Sequence, residues 1–391
     1  MKVGVVGYGK MGRNIFALFS ETPVEVIVLG RDPAEMDRQN RRLEKRLSRA
    51  ASNGMLAGDE LSRRLTALRF TTSWDALRDC DLVIETVKED FDLKIAVLRQ
   101  AEATISPQAV LTSNTSSLSL TRLGESLRDP ARFCGFHFFH PPQLTSVVEI
   151  ITAHRTAPHI VGFLRQVSRD IGRTPVVVKD LAGSCVNVPL AFCCCEALYI
   201  LEQGLASPSW LDTAFAGRLA RLGPCETMDG LGIPFFTDLL GRTLVAFAAD
   251  RAVPELCHRL IRDGRLGRHA NQGIYLYRDD RPVDDAPEYY LNPTQTHSPA
   301  GVRSGDAGLC ERLMFSIHFA ILKVASMGLC SVGDLCLGIS DLIGLKTDPM
   351  EELRALGSAG LRDVFDRLRA ELGPRYDCRP LAGIMATVDA R

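Results

Sequence analysis

The stretch MKVGVVGYGKMGRNIF, residues 1–16, decides the fold. Val3, Val5 and Val6 form a short apolar run that reads as a buried strand, and Ile15, Phe16, Leu18 and Phe19 follow as the apolar face of a helix. Between them Gly7, Gly9 and Gly12 stand at the G-x-G-x-x-G spacing. The first glycine permits a tight strand-to-helix turn, the second has no side chain to hold a pyrophosphate away from the backbone, and the third lets the helix pack close to the strand. A helix start also directs unpaired N–H groups at phosphates. A glycine triplet alone is weak evidence. Its place between a strand and a helix makes dinucleotide binding the expectation, with Lys10 and Met11 inside the cradle.

Outward from this stretch, residues 1–180 alternate short β-rich runs with helical patterns, which predicts a parallel sheet. VEVIVLG (24–30), DLVIETV (81–87), AVLTSN (109–114), FCGFHFF (133–139), SVVEIIT (146–152) and TPVVVKD (174–180) read as its further strands. Residues 32–79 are long, polar and helical in pattern, and read as an inserted helical hairpin. The hairpin carries Arg38, Arg41, Arg42, Lys45, Arg46, Arg49, Arg63 and Arg64. Two readings of this basic run stand: a solvated face, or a holder for a phosphorylated substrate arm through residues such as Arg42 and Lys45.

Beyond Asp180 the pattern turns helical. VPLAFCCCEALYILEQG reads as a long buried helix with Gly204 as its C-terminal cap, and GRHANQGIYLY (267–277) closes a unit spanning 181–278. Residues 279–306 are rich in Pro, Asp, Ser and Thr and read as a linker. A second helical unit occupies 307–391 and resembles the first: EALYILEQGLAS (196–207) aligns with AILKVASMGLCS (320–331), and PCETMDGLG (224–232) with PMEELRALG (349–357). The expected architecture is an α/β Rossmann domain over 1–180 followed by all-α helical domains, the helical unit duplicated and its copies paired as a pseudo-dimer within one chain.

Composition narrows the class. The 391 residues carry a net charge of -1 with 24% charged residues, so no global basic field exists for nucleic acid. No apolar window is long enough to span a membrane, and the apolar N-terminus reads as the first strand rather than a signal peptide, so a cytoplasmic protein is expected. The 12 cysteines lack metal-site spacing; Cys193, Cys194 and Cys195 are consecutive, and the group reads as small buried hydrophobes in a reducing compartment, with no metal expected.

Four polar residues stand out. Ser116 lies in SNTSSLSL just past a strand end, His137 between Phe136 and Phe138, Glu149 inside an apolar strand, and Asn187 at the start of the helical region. Ligands of open parallel sheets bind beyond the carboxyl ends of the strands. A histidine oriented by a buried carboxylate makes a base poised near neutrality. Singly, each residue also reads as an ordinary core or surface group.

Motifs along nearly the whole length resemble those of the 3-hydroxyacyl-CoA dehydrogenase family. They are the glycine fingerprint, Ile84-Glu85, SNTSSL (113–118), HFFHP (137–141), VEI (148–150), AGSCVN (182–187), GPCETMDGLG (223–232) and the GRHANQGIYLY close. The resemblance implies His137 as the acid–base group, Glu149 as its partner, and Ser116 and Asn187 as hydrogen-bonding residues on the reacting oxygen or the thioester. It also implies Glu85, Lys94 and Asn114 on the cofactor side and an acyl-CoA thioester as substrate; an acyl-carrier-protein thioester, a non-thioester 3-hydroxy acid, and a dinucleotide-binding protein with a decayed site are the alternative readings. The sequence departs from the family pattern: His140 stands where the family has Asn, on the substrate side, and the family's P-G-F-x-x-N-R has become A-G-S-C-V-N-V. The family also places Asp at the end of the second strand, where this chain has Gly30 followed by Arg31. Loss of a carboxylate and gain of a guanidinium favour NADP(H) over NAD(H); a register shift that brings in Asp32 is the competing reading.

Overall fold

The computed structural model describes residues 1–140, 145–181, 184–247, 252–284 and 306–389. They form two compact units, Met1–Ala182 and Gly183–Arg391.

The first unit is an eight-stranded sheet in the order β3-β2-β1-β4-β5-β6-β7-β8. Its strands are β1 (Lys2–Val6), β2 (Glu25–Leu29), β3 (Leu68–Thr71), β4 (Leu82–Glu85), β5 (Val110–Ser113), β6 (Phe133–Phe138), β7 (Val147–Thr152) and β8 (Thr174–Lys179). Helix α1 (Lys10–Ser20) buries Ile15, Phe16 and Phe19 against Val3, Val5, Val26 and Val28. Strands covered on both faces read as continuous apolar runs, which is why β1, β2 and β4 were visible as such.

Two expectations are corrected here. The sheet is not wholly parallel: after helices α4 (Phe91–Thr104) and α5 (Leu120–Gly124), β6 and β7 run antiparallel, and β7 then pairs with β8 in parallel through helix α6 (Pro158–Asp170). A return over so few residues leaves no room for the crossover that a parallel pair requires. Residues 32–79 are likewise not a purely helical insertion. They fold as α2 (Pro33–Ser52), α3 (Gly58–Ala67), β3 and a short 3-10 turn at Trp74–Leu77, so the helix pair is an enlarged crossover between the neighbouring strands β2 and β3. Asp32 caps α2 by accepting from the Ala34 N–H at 3.0 Å. Met36, Gln39, Leu43 and Leu47 form its buried stripe, and Arg38, Arg41, Arg42, Lys45, Arg46 and Arg49 lie off it.

The second unit opens with α7 (Asn187–Glu202), buried on nearly every side, followed by α8 (Pro208–Arg218), α9 (Pro224–Leu231), α10 (Ile233–Phe247) and α11 (Glu255–Arg262). Strands β9 (Leu276–Arg278) and β10 (Arg281–Asp284) form a hairpin whose turn residues Asp279 and Asp280 both have positive φ, so the start of the expected linker is ordered structure. Its remainder, 285–305, lies outside the described residues. Then come α12 (Asp306–Ser326), α13 (Val332–Ile343), α14 (Pro349–Leu372) and α15 (Ala382–Ala386).

The second helical series repeats the punctuation of the first. Gly204 and Gly328 end α7 and α12 in the left-handed region, with φ 66° and 67°. Ser207 and Ser331 cap α8 and α13, a spacing of 331 − 207 = 124. Gly232 separates α9 from α10 at φ 92°, and Gly357 breaks α14 at φ 62°, a spacing of 357 − 232 = 125. Helices α7 and α12 pack against each other. Buried Glu196 of α7 accepts from Arg312 Nε (2.5 Å), Arg375 Nη2 (3.0 Å) and the Tyr376 hydroxyl (3.0 Å), all from the second series.

Candidate active site

The glycine turn has the geometry its sequence requires. Gly7 sits at φ 106°, a conformation that L side chains rarely adopt. A Cβ at Gly12 would lie 2.1 Å from the Gly7 carbonyl oxygen, so helix and turn approach as only glycine allows. A Cβ at Gly9 would meet nothing within 4 Å, which leaves the space in front of the α1 N-terminus open. Gly9 is also the N-cap and offers no capping side chain, so the first N–H groups of α1 face that open space. Thr86 Oγ1 bridges the Val6 and Gly7 carbonyls at 3.1 Å each and fixes the turn. Lys10 and Met11 form the first turn of α1 beside it. The cradle fits a dinucleotide pyrophosphate.

At the end of β2, Gly30 donates its N–H to Thr71 O at 3.0 Å. A Cβ there would meet Met36 Sδ at 2.4 Å, so no acidic side chain fits at this position without moving Met36. Arg31 follows, exposed. The carboxylate of Asp32 is committed to capping α2.

His137 and Glu149 meet across the antiparallel junction. They are directly opposed in the β6–β7 register, and His137 Nδ1 lies 2.8 Å from Glu149 Oε2. Glu149 is fully buried and His137 nearly so, with the imidazole edge-to-face against Phe139. A carboxylate in this position holds Nδ1–H and leaves Nε2 as the working nitrogen. Asn114 Oδ1 accepts from the Phe138 N–H at 2.9 Å, tying the end of β5 to the strand residue next to His137.

Ser116 belongs to the loop after β5, and sequence reading missed what organises that loop. Glu89 Oε1 accepts from Thr115 Oγ1 (2.5 Å), Ser117 Oγ (2.8 Å), Ser117 N (3.1 Å) and Ser116 N (3.2 Å). Its other oxygen lies 3.3 Å from Lys94 Nζ. Burial works to raise the Glu89 carboxyl, but Lys94 and the Thr115 and Ser117 hydroxyls outweigh it, and its pKa falls below the usual range. The available signal was an acid in the turn beyond the carboxyl end of β4, five residues before Lys94.

Glu85 and Lys94 pair with each other. Both are buried, with Lys94 Nζ 2.9 and 3.0 Å from the two Glu85 oxygens, and Ser113 Oγ donating to Glu85 at 2.6 Å. Arg42 and Lys45 lie exposed on α2. His140 lies at the end of β6 with Nδ1 3.2 Å from Asn14 Nδ2 of α1. In the second unit Asn187 opens α7, its backbone N–H 3.3 Å from Ser184 Oγ.

The described cysteines are buried apart from half-buried Cys330, and burial pushes thiols such as Cys80 and Cys134 up to about 12. Among the described residues no cluster suited to a metal ion is found, and no single helix is long and apolar enough to cross a membrane.

Comparison with known proteins agrees with this geometry. The sequence model of the 3-hydroxyacyl-CoA dehydrogenase NAD binding domain matches residues 2–181, and that of the same family's C-terminal domain matches 183–277. A 3-hydroxybutyryl-CoA dehydrogenase of Mycobacterium tuberculosis is 31% identical over 283 residues, 71% of this chain and 98% of the relative. The fatty acid oxidation complex subunit alpha of Shewanella amazonensis is 27% identical over 98% of this chain, which spans 55% of that protein. The crystal structure of 3-hydroxybutyryl-CoA dehydrogenase from Escherichia coli K12 shares the fold over 99% of this chain and 98% of its own, with TM-score 0.83 and 22% identity. The two consecutive family matches and the Mycobacterium relative establish an oxidoreductase with a nicotinamide dinucleotide domain: the chain belongs to the 3-hydroxyacyl-CoA dehydrogenase family.

Proposed function

We propose that the chain interconverts 3-hydroxyacyl and 3-ketoacyl thioesters, carried on CoA or on an acyl-carrier protein, with His137 as the acid–base group. The observation that carries this reading is the buried His137–Glu149 pair at 2.8 Å. In oxidation, His137 Nε2 takes the proton from the 3-hydroxyl; in reduction it returns that proton to the alkoxide oxygen at C3. Glu149 holds Nδ1–H throughout and stabilises the imidazolium as it forms. Ser116 and Asn187 donate hydrogen bonds to the reacting oxygen or the thioester carbonyl. Gly7, Gly9, Lys10, Met11 and Gly12 hold the pyrophosphate at the start of α1. The bound nicotinamide supplies the hydride chemistry. Arg42 and Lys45 hold the phosphorylated arm of the carrier. Assaying 3-ketoacyl thioesters on CoA and on a carrier protein tests the reading; failure of every thioester to oxidise the reduced cofactor rejects it.

NADP(H) is favoured over NAD(H). Gly30 leaves no carboxylate to repel a 2′-phosphate, Asp32 is occupied as a cap, and Arg31 is exposed beside them. Comparing kcat/KM for NADPH and NADH in the wild type and in Arg31→Ala tests this, and a wild-type preference for NADH rejects it. The tandem helical units act as an intramolecular pseudo-dimer, the second standing in for a partner subunit, and the protein works in the cytoplasm. The packing of α7 on α12 and the Glu196 cluster support the pairing.

A further inference from the structure

Helix α2 segregates charge. Its 20 residues carry six cations and three carboxylates, in a chain whose net charge is -1. At 3.6 residues per turn, Arg38, Arg42, Lys45 and Arg49 fall on one line within a sector of about 60°, and the line runs about 16 Å along the helix. All four are exposed, as are Arg41 and Arg46, which flank the line on either side. The exposed acids Asp37 and Glu44 stand more than about 100° round the helix from the line's centre. Arg38 pairs with Glu35. Among the described residues, Arg41, Arg42, Lys45, Arg46 and Arg49 have no carboxylate at ion-pair distance, whereas Arg63 and Arg64 of α3 both pair with Glu60. Arg38–Arg42, Arg41–Lys45, Arg42–Arg46 and Lys45–Arg49 are like charges at i,i+4, and each pair repels. The helix therefore carries an electrostatic cost that its own carboxylates do not offset. Its flank borders the glycine turn: Gln39 Oε1 accepts from the Tyr8 hydroxyl at 3.3 Å, and Tyr8 stands between Gly7 and Gly9.

We propose that this stripe docks an acidic carrier protein, so that the thioester substrate arrives on a protein rather than on CoA. The inference rests on the reading of the chain as a dehydrogenase of 3-hydroxyacyl thioesters. Coenzyme A concentrates its phosphates on one nucleotide, which the cations already assigned to a phosphorylated arm, Arg42 and Lys45, suffice to hold. Arg41, Arg46 and Arg49 are then left over, and Arg49 stands at the far end of the line. A carrier protein brings a phosphorylated arm and a folded surface together. A helix bearing carboxylates at the same i, i+4, i+7 spacing matches the line over its whole length. Attraction of this exposed kind acts mainly on the rate of encounter and is screened by salt. An extended polyanion or an anionic membrane fits less well. Outside α2 the chain is net acidic, so a long or flat anionic partner meets repulsion that a small carrier, touching the stripe alone, avoids.

The test is reduction of an acetoacetyl group by the full chain, with the group carried on CoA or on a standalone acidic bacterial acyl-carrier protein, at about 50 and 300 mM salt. Wild type is compared with the charge reversal Arg41→Glu/Arg49→Glu and with the charge-preserving Arg41→Lys/Arg49→Lys. For wild type, kcat/KM on the carrier is expected to fall about tenfold or more across that salt range. At low salt the reversal should lower kcat/KM on the carrier at least about tenfold, through KM, while the lysine variant stays within about twofold of wild type. On CoA, both variants should stay within about twofold of wild type. Carrier-bound turnover that the reversal leaves unchanged, equal loss on both thioesters, or wild-type turnover on CoA alone overturns the proposal. A reversal that spares the carrier kinetics but releases the chain from vesicles of anionic lipid assigns the stripe to a membrane and also overturns it. Reduction of neither thioester is a different result: it rejects the dehydrogenase reading, and this inference falls with it.

Discussion

His137 and Glu149 are twelve positions apart in the chain and directly opposite each other in the sheet, joined at 2.8 Å across its antiparallel junction. Strand pairing itself sets the pair, since opposed residues of an antiparallel ladder share a face. Glu149→Gln keeps the shape and removes the charge that stabilises the imidazolium. Turnover in this variant is expected to fall by about 10²–10⁴, while the cofactor dissociation constant stays within a factor of about two. Steady-state kinetics beside fluorescence titration of NADH and NADPH check both halves.

The glycine cradle predicts opposite costs at two neighbouring positions. Gly12→Ala puts a methyl 2.1 Å from a backbone oxygen that cannot step aside, so the fold itself is expected to lose roughly 3 kcal/mol. Gly9→Ala places its methyl in open space, so thermal stability stays near wild type while dinucleotide affinity drops at least about tenfold. A Gly9→Ala protein that binds cofactor normally contradicts the assignment of that space to the pyrophosphate.

Glu196 joins the two helical series through Arg312, Arg375 and Tyr376. Glu196→Ala leaves guanidinium charge buried without its carboxylate, and a loss of about 3–5 kcal/mol is expected in denaturant unfolding of the second unit. Deleting residues 308–391 uncovers the faces of α7 that α12 packs against, and sedimentation should show dimers or aggregates. A truncated chain that remains monomeric and fully stable counts against the pseudo-dimer.

Asp212 carries a pH signature. Burial raises its carboxyl to about 6, against hydrogen bonds from Cys225 N, Glu226 N and Tyr275 Oη that favour the charged form. The folded state holds the proton more tightly than the unfolded chain. The contribution is therefore fully present below the unfolded pKa near 4 and is lost as pH rises through about 6. The two-unit shift corresponds to roughly 3 kcal/mol. Stability differences between wild type and Asp212→Asn, measured from pH 4 to pH 7, should show the cost of the substitution shrinking as pH rises. A cost that is constant or grows contradicts the assignment.

Most of the dinucleotide fold was legible because its signals are local. Gly7, Gly9 and Gly12 act through their own backbone and immediate neighbours, and the buried strands are apolar runs. Strand β3 was not legible, since LRFT is four residues long and follows directly on an amphipathic helix. The direction of β7 was not legible either, because period-two patterning is the same for a parallel and an antiparallel strand. The identities of His137 and Glu149 came from motif resemblance; their contact came from that unread junction. Glu89 escaped notice because its work is done by long-range hydrogen bonds to Thr115, Ser116 and Ser117, which leave no periodic trace. The pairing of Glu85 with Lys94 was not legible, because the two residues stand nine positions apart on separate elements.

The most direct test of the account is the oxidation of reduced nicotinamide cofactor by the wild-type chain with acetoacetyl-CoA, followed by absorbance, beside the same assay of His137→Ala. The account predicts turnover by wild type and a loss of about 10²–10⁴ in kcat for the variant, with cofactor binding retained. Wild-type turnover that persists undiminished in His137→Ala would contradict it.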